Sequence, residues 1–260
     1  MPRALWTGAS GMVAQQTNVD VIANNIANVN TTGFKRERVN FQDLFYEVQS
    51  APGTKASDQG RNPTGTQIGH GVKLSSTPRI FTQGNVEITG IDTDMAIEGD
   101  GFFAVSLPDG TLAYTRAGDF RPDGDGNLVT PDGYYLEPRI TIPNDATQTS
   151  INTTGTVSVL VNGAQQDVGT ITISRFRNPA GLVAVGRNLF TETAASGSPQ
   201  EATPGSSGYG SIRSGTLEKA NVEIVTELVN LIVAQRAYEL NSKSITTSDQ
   251  MLQTANEIVR

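Results

Sequence analysis

The residues of this chain best placed to do chemistry are carboxylates. Asp123, Asp125 and Asn127 alternate in the order that opens a calcium loop, where successive oxygen-bearing side chains converge on one hard cation. The register then fails. The sixth position is Leu128, where the sharp bend needs glycine, and the twelfth is Tyr134, where a bidentate glutamate closes the shell. Pro122-Asp123-Gly124 instead has the composition of a turn, so the segment reads as a hairpin tip. Asp92, Asp94, Glu98 and Asp100 could supply the carboxylate pair of a glycoside hydrolase, but acid-rich solvated turns look the same. The single histidine, His70, sits between Gly69 and Gly71, and no G-x-S-x-G supplies a nucleophile beside it, so it reads as structural. The Gly-x-Gly pairs at 69–71, 99–101, 124–126 and 208–210 lack the third glycine of a dinucleotide loop, and no phosphate-cradling G-x-x-x-x-G-K-[ST] occurs.

Composition narrows the field further. The 260 residues include no Cys, which excludes disulfides, zinc thiolates, iron–sulfur ligands and a cysteine nucleophile. A formal charge of −7 argues against nucleic acid as a partner. No apolar run approaches the roughly 18 residues of a membrane span, so no membrane insertion is expected. The N-terminus shows no apolar h-region with a small-residue cleavage site, which suggests a chain kept inside or exported by a route that leaves this end uncut. The reading is of a non-enzyme with no cofactor and no metal.

The elements that would hold these residues follow from patterning. Between 85 and 146 lie twelve acids against three bases (Arg116, Arg121 and Arg139). Pro-Asp-Gly turns at 108–110, 122–124 and 131–133 punctuate this stretch at roughly ten-residue intervals, and Gly101–Leu107 offers an apolar strand. Val157–Val161 leads into Asn162-Gly163, with Thr170–Ser174 alternating beyond, which predicts a hairpin and an antiparallel β domain. Two stretches, 50–71 and 193–216, read as linkers or exposed loops; in the second, Gly, Ser, Pro and Thr make up 16 of 24 residues.

Both ends read as helix. Leu5, Met12, Val19 and Ile26 recur every seven residues with Ile22 and Val29 beside them; Ile224, Leu231, Tyr238, Ile245, Leu252 and Val259 do the same at the other end. Three positions on from the second row come Glu227, Ala234, Asn241, Ser248 and Ala255, mostly small or polar. Residues 4–30 carry one charge, Asp20, where a solvated helix would carry many. At about 1.5 Å per residue the C-terminal arm could span roughly 60 Å, long for docking on a small β domain. The fold class is therefore α+β: a discontinuous, coiled-coil-like helical domain from both ends, with a mainly antiparallel β domain inserted. Helices this poor in charge are expected to pack against other subunits.

The ends also carry a resemblance. Ala23-Asn24-Asn25-Ile26-Ala27-Asn28 through Gly33-Phe34-Lys35 resembles the N-terminal signature of the bacterial flagellar rod and hook family of axial proteins. Leu217–Glu223 and Gln235-Arg236-Ala237-Tyr238-Glu239 through Lys243 are similar to its C-terminal signature, with Ala220 and Glu223 standing where Ser and Asp are more usual. Phe81–Gly84 and Ile97–Phe103 match core segments of the family. Gly33 suits a helix stop, and Phe34 an anchor for the outgoing chain.

The resemblance implies a three-part structural subunit: terminal helices at 1–30 and 217–260, a connecting region at 31–84 and 193–216, and an outer β domain at 85–192. It implies self-association into a helical rod, with adjoining rod and hook proteins, a surrounding ring (bushing) and the flagellar export apparatus as partners. The expected subunit interface takes the stripe positions Leu5, Met12, Val19, Ile22, Ile26, Ile224, Leu231, Tyr238, Ile245 and Leu252. From the signatures it adds Asn24, Asn25, Asn28, Gly33, Phe34, Asn221, Gln235 and Arg236. The polar insert at 46–71 is similar to one found in a rod member of the family, and is expected to bridge neighbouring subunits. The arms are expected to fold on assembly. The rival from another class is a monomeric acidic β protein that binds calcium or glycan through 85–146.

Overall fold

The uncharged N-terminal stripe folds as one helix, α1 (Pro2–Ala27), and the C-terminal heptads as a second, α2 (Ile224–Ile258), whose 35 residues give a length of about 52 Å. The computed structural model describes residues 2–53, 55–57, 60–61 and 63–258; Val259 of the heptad row lies outside them. The chain divides into two units. A helical unit joins Met1–Ile26, Glu37–Pro78 and Ile224–Arg260, and a β unit joins Ala27–Arg36 and Arg79–Glu223. The β unit holds seventeen of the 26 acids against eleven of the nineteen bases, so six of the seven net negative charges belong to it.

Within the helical unit α1 and α2 run antiparallel. A Cβ on Gly8 would stand 2.9 Å from Cγ1 of Ile245, and one on Gly11 would stand 2.9 Å from the Asn241 amide. Glycine at these two positions lets the helices approach closely. The buried side chains of α2 are Glu227, Ala234 and Ser248, all from the small and polar row; the larger Leu231, Ile245 and Leu252 are only half-covered. The most deeply buried positions of α2 thus fall on the row three positions beyond the one that hydrophobicity marks, although Ile245 of the marked row also meets α1.

The rest of this unit is narrow ribbon. Strands β1 (Asn40–Asp43) and β2 (Tyr46–Ser50) lead to a short pair, β3 (Lys55–Ser57) and β4 (Gly60–Arg61), and return as β5 (Thr66–Gly69) and β6 (Val72–Ser76). β1 pairs with β6, and β2 with β5, both antiparallel. Within the expected linker at 50–71, residues 50, 55–57, 60–61 and 66–69 are therefore paired strand rather than loop. Its pairing is local: β2 and β5 zip backbone to backbone across Gln67 and Val48, which composition alone does not reveal.

The β unit opens with β7 (Val86–Ile88), β8 (Met95–Glu98), β9 (Phe103–Ser106) and β10 (Leu112–Thr115). It continues through β11 (Arg121–Pro122), β12 (Leu128–Val129), β13 (Tyr135–Glu137), β14 (Ala146–Ile151), β15 (Thr156–Val161), β16 (Ala164–Thr170) and β17 (Ile173–Arg175). It closes with β18 (Val183–Gly186), β19 (Leu189–Thr191), β20 (Gln200–Ala202), β21 (Ser211–Ser214) and β22 (Thr216–Glu218). Seven of these form one antiparallel sheet in the order β11-β12-β13-β9-β10-β19-β18, and β14-β15-β16 form a second. Alternation along the run Phe102–Val105 places Phe103 and Val105 in a core with Met95, Ile97, Phe120 and Leu136. Phe102 and Ala104 enter a separate cluster with Tyr114, Phe176 and Phe190. Edge-to-face contacts between Phe102, Phe176, Tyr114 and Phe190 build the second cluster.

The hairpin at Asn162-Gly163 forms, with both residues at positive φ, but its return strand is β16, starting at once with Ala164. The alternating Thr170–Ser174 divides between β16 and β17, and β17 pairs elsewhere, with β20. The stretch 193–216 is not a linker. It contributes β20, β21 and the start of β22, and Ile212, Ser196 and Thr216 are buried. Its glycines, prolines and serines turn the chain between short strands that other strands cover. The C-terminal signature at Leu217 and Glu218 is likewise strand, and helix begins only at Ile224.

Candidate functional site

In the β unit the three signature segments meet at one buried knot. Lys35 and Glu218 are both fully buried, with Nζ 2.6 Å from Oε1. Arg116 donates from Nε to the other carboxylate oxygen at 3.0 Å, and from its remaining nitrogens to the carbonyls of Ile97, Gly99 and Gly101. Gly84 N–H and the Thr82 carbonyl complete the set, bonding Glu218 and Lys35 respectively. Burial pushes the Lys35 ammonium below its ordinary range; the Glu218 carboxylate opposes this and the Arg116 charge adds to it. Two basic side chains thus share one buried carboxylate. Beside it Asn221 accepts from Arg36 N–H and donates to the carbonyls of Ile80 and Thr82. These contacts give Lys35 of the first signature, and Glu218 and Asn221 of the second, their roles within the chain.

Gly33 and Phe34 belong to the same region. Gly33 does not stop α1, which ends six residues earlier at Ala27. It takes a φ of 68° within a turn, and an added Cβ would stand 2.5 Å from the Ala117 nitrogen. Its N–H donates to the Glu218 carbonyl at 2.8 Å. Phe34 is buried, with the Arg79 guanidinium over its ring. Asn28 accepts from the Thr31 amide and hydroxyl.

The helical unit presents a different surface. Val225, Leu228, Val229, Ile232, Val233 and Leu240 of α2 are all exposed, Val225 at 70% and Leu240 at 66%. On α1 Trp6 is 76% and Val13 66% exposed. A helix apolar on more than one face is one that protein normally surrounds. The ribbon adds Phe45, 90% exposed, with Tyr46, Val48 and Leu74. A groove of about 370 Å³ lies among Gln16, Val19, Gln235, Tyr238 and Glu239.

The expected interface residues divide by environment. Ile22, Asn25, Gly33 and Phe34 are buried within the chain, and Asn25 clamps the Glu37 backbone by donating to its carbonyl and accepting from its amide. Leu5, Met12, Val19, Ile26, Asn28, Asn221, Leu231, Ile245 and Leu252 are half-covered. Asn24, Ile224, Gln235, Arg236 and Tyr238 are exposed, Arg236 pairing with Glu239 along the helix. Sequence reasoning missed Arg116 and the broad face from Val225 to Leu240. The signal for the first was a lone arginine at the end of the apolar run Leu112-Ala113-Tyr114, in a stretch otherwise rich in acids. The signal for the second was the run Leu231-Ile232-Val233, too apolar for a single stripe.

The Asp123 Oδ1 accepts from the amides of Asp125 and Asn127, closing its own turn. Among the described residues no cluster of three metal-ligating side chains occurs, and no helix is long and apolar enough to cross a membrane.

Known proteins match the chain along its length. The flagella basal body rod protein family matches residues 5–35, the flagellar hook protein FlgE/F/G D1 domain matches 96–159, and the flagellar basal body rod FlgEFG protein C-terminal family matches 213–258. The flagellar basal-body rod protein FlgG of Borreliella burgdorferi is 53% identical over 264 residues, covering 100% of both chains. FlgG proteins of Buchnera aphidicola and Caulobacter vibrioides are each 49% identical, over 98% of this chain and 99% of theirs.

Proposed function

Because this chain belongs to the flagellar hook and basal-body rod family, we propose that it is the structural subunit of the distal rod. In this reading it polymerises into a hollow helical drive shaft that carries motor torque to the hook. The observation that carries this is the exposed apolar surface of α2, too extensive for a helix that stays in water. Copies of the same chain cover it, so the core of the helical unit is completed by assembly. Ile224, Gln235 and Tyr238 then face neighbours, whereas Ile22, Asn25 and Phe34 shape the subunit from inside. The shaft would span the periplasm, meeting proximal rod and hook proteins at its ends and the ring (bushing) around it, after passage through the export apparatus.

The ribbon from Asn40 to Ser76 supports the expected role of the insert. Two strands with Phe45, Tyr46 and Val48 in water are marginal alone, and a neighbouring subunit supplies the missing cover. Bridging in this way would lock rotation between subunits and keep the shaft straight. Sedimentation and negative-stain microscopy at rising concentration test the assembly: rods are expected, and a persistent monomer at every concentration overturns it. Removal of 46–66 is expected to give curved or flexible polymers, and straight stiff ones would refute the role of the insert.

A further inference from the structure

The buried knot has an outlet. Arg116 forms part of the wall of a cavity of about 130 Å³ in the β unit, with Arg175 and Arg177 at its mouth and Phe81, Phe102 and Phe176 among its walls. Asp100 also lines the cavity, and its carboxylate pairs with the half-exposed Arg175 at 3.8 Å, offsetting one of the arginine charges. The Arg177 guanidinium is exposed and has no partner among the described residues. Behind them Lys35 and Arg116 share the single charge of Glu218. Three arginines against the single carboxylate of Asp100 leave the opening with a net positive charge, and so make it a receptor for an anion. The volume suits one side chain; sites for drug-sized ligands start at about 300 Å³.

The same chain offers the anion. Of its three Pro-Asp-Gly turns, the one at 122–124 uses Asp123 to close its own loop, and at 131–133 Asp132 faces Arg187 at 3.8 Å. Pro108-Asp109-Gly110 is exposed throughout, and Asp109 is met only by Thr111. Those bonds hold its carboxyl below the usual range, so it is ionised at neutral pH. The cavity lies where the chain enters β9 and this turn where it leaves, so receptor and ligand occupy opposite ends of one strand. At about 3.3 Å per residue they stand roughly 20 Å apart. That is the layout a head-to-tail contact needs, since the two sides of a heterologous interface are different patches of the same molecule.

We propose that the cavity between Arg175, Arg177 and Phe102 receives the Asp109 turn of a neighbouring copy, as a polar contact between β units. The assignment rests on the reading of the chain as a polymer subunit. The test uses the full-length chain, with assembly followed by light scattering and negative-stain microscopy. Arg175→Glu/Arg177→Glu is expected to raise the concentration needed for rods about tenfold, and Asp109→Lys to do the same. The variant with all three changes restores opposite charges between positions 175 and 177 and position 109, and is expected to assemble within about threefold of wild type. Unchanged thermal unfolding of the β unit shows that each variant folds, and Arg177→Gln repeats the direction without a charge reversal. Rods from wild type together with unaltered assembly of the double arginine variant, or no recovery in the triple variant, overturn the cavity assignment alone. No rods from wild type at any concentration overturn the polymer reading, and the assignment with it.

Discussion

Replacing Glu218 by glutamine changes one atom and removes the only anion between Lys35 and Arg116. Glu218 is fully buried, and its oxygens accept from Lys35 Nζ, Gly84 N–H and Arg116 Nε at 2.6, 2.8 and 3.0 Å. Removing one partner of a buried ion pair costs about 3–5 kcal/mol, because the remaining charge cannot reach water. Here two cations are stranded, so the upper part of that range is expected. For a unit of this size about 1 kcal/mol corresponds to roughly 2–4 °C in the unfolding midpoint, so the loss should be on the order of 10–20 °C. Lys35→Met makes the contrast. It leaves Glu218 matched one to one by Arg116 and removes an ammonium that burial already disfavours, and it should cost only about 1–2 kcal/mol. The exposed pair Arg213–Glu98, also 3.0 Å apart, is the control, and Glu98→Gln should cost under about 1 kcal/mol. Differential scanning calorimetry with tyrosine near-ultraviolet circular dichroism reads mainly the β unit, which holds four of the six tyrosines, while the one tryptophan, Trp6, reports on α1. A Glu218→Gln variant within about 1 kcal/mol of wild type would refute the reasoning. So would a Lys35→Met variant that falls further than it.

Gly33→Ala should destabilise the β unit by about 2 kcal/mol or more by chemical denaturation, since its φ of 68° strains an L-residue and the Cβ meets Ala117 backbone. An unchanged midpoint would mean the turn relaxes freely. Gly8→Val should weaken α1 against α2 by about 1–3 kcal/mol through overpacking on Ile245, read as lost helicity or slowed rod growth; equal assembly would count against the close approach. Tyr114 gives a pH dependence. Burial first, then Glu192 and Glu201, push its phenol up to about 12. The folded state therefore keeps a proton that the unfolded chain releases near pH 10, and stability should fall above pH 10 by about 1.4 kcal/mol per pH unit until pH 12. Tyr114→Phe should remove that slope, and an equal alkaline slope in the variant would sink the assignment.

Much of the layout was legible because it depends on periodicity and turn chemistry. Seven-residue spacing marked α1 and α2, and Asn162-Gly163 marked a hairpin whose two residues do take positive φ. What escaped depends on contacts between residues far apart in sequence. Leu217 and Glu218 looked like the start of a helix, but Glu218 is claimed by Lys35 and Arg116, at separations of 183 and 102 residues. Composition made 193–216 look like a linker, yet Ile212 lies opposite Ile97 in β8 and holds it in the fold. On α2 the heptad rule chose the bulky row. The deepest burial instead fell on the small row, with Gly11 against its Asn241 and Gly8 against Ile245 of the bulky row. A hydrophobic stripe does not say which partner will cover it.

That distinction explains the chemistry of the two end signatures. Asparagine and glycine in 23–35 invite the reading of a surface that meets other subunits without charge. Asn25 instead satisfies the Glu37 backbone inside its own chain, Asn221 does the same for Arg36, Ile80 and Thr82, and Gly33 is fixed by Ala117. These residues set the course of the chain from within, each by a hydrogen bond or a close approach that no other side chain reproduces. The side chains left for neighbours are ordinary valines, leucines and isoleucines, where many substitutions keep a surface apolar. Specific residue types thus mark the internal joints of this subunit, and its contact faces are written in a looser alphabet. A motif search therefore finds the joints, and the contact faces become visible only when burial is mapped onto the folded chain.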